Sequence, residues 1–245
     1  MALIGGRLAG AVLSRYEWHD IEAREGYVGE GKVTSLFGPQ FWDKVAGKTV
    51  IDFGCGKGAE AIEIAKRGAA KVIGIETLER WRSIADTNLV LSGVNNCAFL
   101  ARTDEKADVV LSLDSFEHFD DPAGILKEMA RLLKPDGRVI VSFGPPWYHP
   151  LGGHFPLFPW AHIVLTERAL MTWRANFKTD GAKRFGEAEG GLNQMSIKKF
   201  ERTVAASPLK IEHMDTVPIR KTGRIHCRLT REFLTSIVRA ELVHR

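Results

Sequence analysis

Residues 50–60, VIDFGCGKGAE, constrain this chain more than any other stretch. An apolar run meets Asp52 and then breaks into three alternating glycines, Gly54, Gly56 and Gly58. Val50 and Ile51, extended by Thr49, have the character of a buried parallel strand, and Ala59 to Arg67 have the spacing of a helix packing back onto it. Glycines at the turn between them take positive φ freely and admit a ligand against the main chain without meeting a Cβ, while the helix that follows opens with free N–H groups. A second apolar run, VIGIE, ends at Glu76, about 20 residues on, the interval at which an acid accepts hydrogen bonds from ribose hydroxyls. Loop and acid together define an adenosine site. The glycine spacing does not choose the cofactor, because Gly54, Gly56 and Ala59 also satisfy the G-x-G-x-x-G/A pattern of dinucleotide folds.

The rest of the chain alternates. Strands are expected near 48–53, 71–76, 97–101, 107–113 and 137–143, with helices near 59–67, 79–92 and 122–134, the order of a doubly wound parallel sheet with helices on both faces. Asp120 or Asp121 can cap the helix begun by Pro122, and Pro135-Asp136-Gly137 reads as the turn into the next strand. After a helical region near 194–207, LKIEHMDTVPI reads as a sixth strand. The run from Leu234 to Val243 reads as a seventh strand or a closing helix.

DFGCGKG, then IE, then ADVVLSLDSFEHFDDP, then LLKPDGRVIVSFGP resemble the ordered motifs of class I S-adenosylmethionine-dependent methyltransferases over about residues 45–145. The resemblance implies S-adenosyl-L-methionine as cofactor and a seven-stranded, mainly parallel sheet with a C-terminal antiparallel strand. It places Asp52 near the methionine end, the loop of Gly54, Gly56 and Gly58 around the cofactor, and Glu76 on the ribose. Thr77 and Leu78 would flank the adenine, Leu113-Asp114-Ser115 would close over the methionine portion, and Asp104 occupies the place of an adenine-contacting acid, on an unusually short connection. A final antiparallel hairpin would separate this fold from a dinucleotide dehydrogenase.

At 245 residues with 44% hydrophobic residues, the chain is expected to form one domain, residues 1–245, with 1–44 as an N-terminal arm or lid and 144–195 as a substrate-side insertion. The arm carries Tyr16, Trp18, His19, Tyr27 and Phe41-Trp42, read as a cover over the pocket; its apolar start, MALIGGRLAGAVLSR, is too short and too interrupted to span a membrane and is expected to pack onto its own domain. The formal charge is +4, scattered among both signs, so nucleic acid is not the expected partner. Cys55, Cys97 and Cys227 are far apart, with neither a paired motif nor a disulfide framework, which fits a cytoplasmic protein.

The insertion FGPPWYHPLGGHFPLFPWAH, residues 143–162, leaves the C-terminal end of the fifth strand, the edge where open α/β sheets bind ligands. Its prolines stiffen a pocket wall, and its histidines stand beside the expected cofactor. Methyl transfer needs an acceptor atom held in line with the methyl carbon and a group that takes the acceptor's proton, a task for which imidazole is suited at neutral pH. The candidate catalytic residues are His154 and His149, then His118. No zinc signature is present, and the expected metal is none. Glu187, Glu189, Asn193 and Gln194 read as a solvated loop, and the cluster of Arg220, Lys221, Arg224, Arg228 and Arg231 as an exposed face. The sequence thus points to a methyltransferase acting on an oxygen or nitrogen of a small, partly aromatic or apolar molecule. The alternatives are an NAD-dependent oxidoreductase and a non-catalytic cofactor-binding or RNA-interaction protein.

Overall fold

The computed structural model describes residues 4–17, 31–188 and 191–245. Its centre is a seven-stranded sheet of β1 (Thr49–Phe53), β2 (Lys71–Ile75), β3 (Cys97–Leu100), β4 (Ala107–Leu113), β5 (Leu133–Phe143), β6 (Leu209–Pro218) and β7 (Thr235–His244), in the order β3-β2-β1-β4-β5-β7-β6. β1 through β5 run parallel, whereas β7 is inserted antiparallel between β5 and β6. That reversed strand settles the two readings of the last apolar run and removes the dinucleotide-type sheet.

The strands read as nearly unbroken apolar runs because both faces are covered. Successive residues point to opposite faces. Val50, Val72, Val109 and Ile140 join one core with α2 (Lys32–Phe37), α3 (Phe41–Val45), α4 (Ala59–Lys66) and α5 (Glu79–Ser92). Ile51, Ile73, Val110 and Val139 join a second core with α6 (Pro122–Leu132) and α9 (Ile197–Ala205), where Phe200 packs edge-on against Phe116 at 5.3 Å between ring centres. Truncating a wholly buried Phe of this kind costs about 3–5 kcal/mol. Asp121 caps α6 by accepting a hydrogen bond from the Gly124 N–H at 2.9 Å, behind Pro122 at the first helical position.

One local expectation changes. β5 begins at Leu133, not 137: Leu133 pairs with Ala107 and the ladder resumes at Arg138 opposite Val109, so Pro135-Asp136-Gly137 form a bulge inside the strand. The described aromatic residues of the arm pack against the core and the insertion. Phe41 is fully buried in the core, Trp42 lies under the Arg67 guanidinium at 4.3 Å, and Tyr16 packs on Phe158; Trp18, His19 and Tyr27 lie outside the described residues.

A third core belongs to the insertion. Phe155, Leu157, Ala161, Leu165 and Phe185 pack with Leu170, Met171 and Trp173 of α8 (Glu167–Arg174) and with Ala9 and Leu13 of α1 (Gly6–Leu13). The apolar start of the chain therefore packs onto its own domain, pinned by hydrogen bonds of Ile4 with Val164 and Thr166 at 2.9 Å each. Among the described residues no helix is long and apolar enough to cross a membrane, and the three cysteines are free thiols.

Candidate active site

The glycine loop has the backbone its sequence demands: Gly54, Gly56 and Gly58 take φ of +82°, +51° and +77°. Each has a separate reason to lack a side chain. A Cβ on Gly54 would press on Ser115 at 3.0 Å, one on Gly58 would meet the Phe99 ring at 2.3 Å, and one on Gly56 would meet nothing within 4 Å. The open space at Gly56 is where a ligand can lie against the main chain. Ser115 at the end of β4 donates to the Gly54 carbonyl at 3.0 Å, and Asn88 of α5 donates to the Lys57 carbonyl at 3.0 Å, so the loop is tied down on both sides.

Glu76 closes the loop from β2. Its carboxylate accepts from the Gly56 N–H at 3.1 Å and the Leu78 N–H at 2.9 Å, and Arg82 donates to its carbonyl at 2.8 Å. Thr77 and Leu78 form an exposed shelf beside it. Asp52 is buried at the end of β1, where burial first, and then the neighbouring Glu60 and Glu76, push its carboxyl up to about 7 despite the pull of Lys32. Lys32 was not singled out by its sequence setting. Its ammonium lies 3.3 Å from Glu60 and 3.0 Å from Asp114, and although burial opposes its charge, those two acids hold its pKa well above the ordinary lysine range. Asp114, at φ +50°, also accepts from Ser142 on β5 at 3.2 Å, with Leu113 buried behind it. Asp104 is not drawn into this cluster: its side chain is 96% exposed and pairs with Arg131 at 2.9 Å.

Beyond the cradle, the 3₁₀ turn Phe116–His118 carries Glu117 and His118. Glu117 is buried, accepts from the Gly144 N–H at 3.1 Å, and has its carboxyl pushed upward by burial. His118 donates through Nδ1 to the Gly191 carbonyl at 2.7 Å and meets the His154 ring edge-on at 5.5 Å. Asn193, read from sequence as loop, clamps this turn by donating to the Phe116 and Phe119 carbonyls at 2.8 and 2.9 Å. Its signal is only visible in three dimensions. His154 sits at φ +55°, hydrogen-bonded to the Pro145 main chain, and burial followed by the facing His118, His162 and His149 pushes its pKa down to about 3. His149 is pushed down to about 4, by burial and then His162, and its Nδ1 accepts from the Leu151 N–H at 3.0 Å. His162 donates to the Trp147 carbonyl at 2.6 Å. Among the described residues, three buried polar atoms on these packed segments have no partner: Glu117 Oε2, His154 Nε2 and Asn193 Oδ1. No group of three His, Cys, Asp or Glu side chains among the described residues is arranged to hold a metal ion.

A family model described as a methyltransferase domain matches residues 29–183. The chain belongs to the S-adenosylmethionine-dependent methyltransferase family. Over 105 residues, 40% of its length, it is 40% identical to the ubiquinone biosynthesis O-methyltransferase of Stutzerimonas stutzeri strain A1501, covering 45% of that protein. It thus spans less than half the length of the curated relatives it matches. Its fold is similar to the S-adenosylmethionine dependent methyltransferase from Mesorhizobium loti (TM-score 0.58, 16% identity, 90% of this chain and 100% of that one). It is also similar to the magnesium protoporphyrin IX methyltransferase from Synechocystis PCC 6803 with bound SAH (TM-score 0.56, 17% identity, 97% and 93%). At such identities the likeness speaks for the fold.

The residues present fit the family's cofactor, S-adenosyl-L-methionine. Asp52, Glu60, Glu76 and Asp114 crowd the cradle, where among the described residues Lys32 pairs with Glu60 and Asp114. That balance favours a ligand carrying an ammonium and a sulfonium with a single carboxylate, and it opposes a pyrophosphate.

Proposed function

We propose that this chain methylates a hydroxyl oxygen of a small, partly aromatic or apolar molecule, with His154 taking the hydroxyl proton. The observation that carries the reading is the unpartnered, buried Nε2 of His154, whose ring meets His118 on the turn that also carries the unpartnered Oε2 of Glu117. An unsatisfied buried polar atom costs about 1–3 kcal/mol, and a hydroxylated acceptor can both donate to lone pairs and accept from a protonated carboxyl. The name of the Stutzerimonas relative, an O-methyltransferase, supports oxygen as the acceptor atom.

The cofactor, when bound, supplies an electrophilic methyl group. The chain's part is to place and deprotonate. Asp52, Glu76 and Lys32 bind the cofactor's polar groups, and the glycine loop lets it lie against the main chain. The unpartnered Nε2 of His154 accepts the acceptor's hydrogen bond, and because burial lowers the ring's pKa to about 3, it takes the proton only as the methyl–oxygen bond forms and the oxygen turns strongly acidic. His149 is less suited, because its Nδ1 lone pair is already engaged by Leu151. His118 orients the His154 ring by edge contact. The Trp147, Phe155 and Phe185 group stiffens the wall behind this histidine pair and supports an apolar acceptor.

Calorimetry with S-adenosylhomocysteine and with NADH, followed by methyl transfer to a panel of phenols, catechols and aromatic amines, tests the reading. Micromolar binding of S-adenosylhomocysteine alone and product formation on hydroxyl acceptors are expected. Binding of NADH would overturn the cofactor assignment, and turnover confined to amines would overturn the acceptor assignment.

A further inference from the structure

The turn between β6 and β7 is the one strongly basic stretch of the chain: residues 216–231, TVPIRKTGRIHCRLTR, hold five Arg or Lys and no acid. Arg231 is spent on Glu201, which it grips at 2.7 and 2.8 Å. Arg220, Lys221, Arg224 and Arg228 are exposed and, among the described residues, face no carboxylate. Between these cations stand Ile225 and Leu229, 62% and 88% exposed. The turn is ordered, because the Thr230 hydroxyl donates to the Ile225 carbonyl at 2.6 Å and accepts from the Cys227 N–H at 2.9 Å, while Ile219 N–H closes the base on the Leu234 carbonyl at 2.8 Å. Its apolar side chains are therefore held outward by main-chain geometry.

The turn also lies on the catalytic edge. β7 runs back along β5 with Val238 opposite Phe143, which puts the start of β7 beside the strand end from which the substrate-side insertion departs. Phe233, before β7, meets Tyr148 of the insertion at 5.7 Å, and both rings are exposed by about two-fifths or more, 46% and 39%. A hollow of about 490 Å³ in the same turn is lined by Glu201, Thr216, His226, Cys227, Arg228 and Arg231.

We infer that this edge rests on an anionic lipid surface, with Ile225, Leu229 and Phe233 entering the acyl boundary and Arg220, Lys221, Arg224 and Arg228 on headgroup phosphates. Cations interleaved with outward apolar side chains are the pattern of an interfacial anchor. Single-stranded RNA would call for aromatic platforms between the cations, whereas the two residues at the tip of this turn are aliphatic. Each basic residue near an anionic membrane strengthens binding by about fivefold at moderate salt. Such docking would set the mouth of the pocket against the phase in which an apolar acceptor dissolves.

Flotation of the full chain with vesicles of phosphatidylcholine, and of phosphatidylcholine with one-third phosphatidylglycerol, tests the inference. Binding to the anionic vesicles is expected to exceed that to neutral ones at least tenfold and to fade with added salt. Arg224→Ser with Arg228→Ser should lower it about 25-fold, and Leu229→Asp about tenfold or more, with S-adenosylhomocysteine affinity and melting temperature unchanged. Equal binding to both vesicles, no binding to either, or tight binding of a single-stranded RNA oligonucleotide that Leu229→Asp leaves intact would each overturn it.

Discussion

Asp52 gives the sharpest handle on how the cradle is built. It is wholly buried, and its carboxyl titrates near 7 in the fold against 3.8 when free, because burial and then Glu60 and Glu76 disfavour its charge. A carboxyl whose folded pKa is raised holds a proton in the native state that the unfolded chain has released. The fold consequently loses stability as pH rises from the unfolded pKa to the folded one. With 1.36 kcal/mol per unit, about three units correspond to roughly 4 kcal/mol above pH 7 and under 2 kcal/mol at pH 5. Asp52→Asn removes that charge while keeping shape. The variant should gain on the parent by about 3 kcal/mol more at pH 8 than at pH 5, and in a domain of this size its melting temperature at pH 8 should rise on the order of 10 °C. Urea unfolding of both proteins at pH 5 and pH 8, without cofactor, measures the difference. The same variant should bind S-adenosylhomocysteine at least tenfold more weakly, since a charged hydrogen bond is worth about 1.5–3 kcal/mol. A stability difference that stays flat from pH 5 to pH 8 would refute the reasoning, because it would mean that Asp52 carries its charge in the fold at no cost.

His154→Ala should lower kcat by about 10²–10⁴ with KM little changed, while His149→Ala should stay within a few-fold, as read by steady-state kinetics on the best acceptor. Because the His154 ring is held neutral down to about pH 3, the low-pH limb of kcat/KM in the parent should show no break at the ordinary histidine pKa near 6.5; a break there that vanishes in His154→Ala would contradict its burial. Gly58→Ala should destabilise by about 2–5 kcal/mol, since the residue takes φ +77° and its new Cβ would drive into Phe99, and thermal melting reads this directly.

What was legible in the sequence was whatever is local. The glycine loop could be read because three glycines at alternate positions answer a backbone requirement of the loop itself, and Glu76 because strand, loop and helix between them have a fixed span. The parallel strands could be read because apolar runs that must be covered on both faces alternate with helices. The beginning of β5 was misplaced for the complementary reason: Pro135-Asp136-Gly137 is a true turn signal, but the pairing of Leu133 with Ala107 that carries the strand across it is a contact between distant segments. Phe41 and Trp42 show the same limit, since the aromatic composition of a lid and of a core helix is identical and only packing separates them. Lys32 and Asn193 carry no periodicity at all. Their roles arise from neighbours 82 and 77 positions away, Asp114 for the lysine and Phe116 for the asparagine.

Several of the places where local rules are broken lie at the site, and electrostatics explains why. Asp52 is buried among Glu60 and Glu76 with Lys32 paired to Glu60 and Asp114, His154 keeps an unpartnered nitrogen in a buried wall, and Asp114 and His154 hold positive φ without being glycine. Each of these costs stability in the fold taken by itself, on the order of 1–3 kcal/mol apiece. A fold selected only for stability would replace them with apolar residues or satisfied amides. In the proposed function their common resolution is a ligand that brings cationic groups to the acids and a hydroxyl to the wall, so the unfavourable terms convert into binding energy when the site fills. The insertion's own core of Phe155, Phe185 and Trp173 then has a definite purpose: by packing independently of the sheet it holds the His154 wall rigid against the cradle, so that the strain is not relieved by the loop simply moving away.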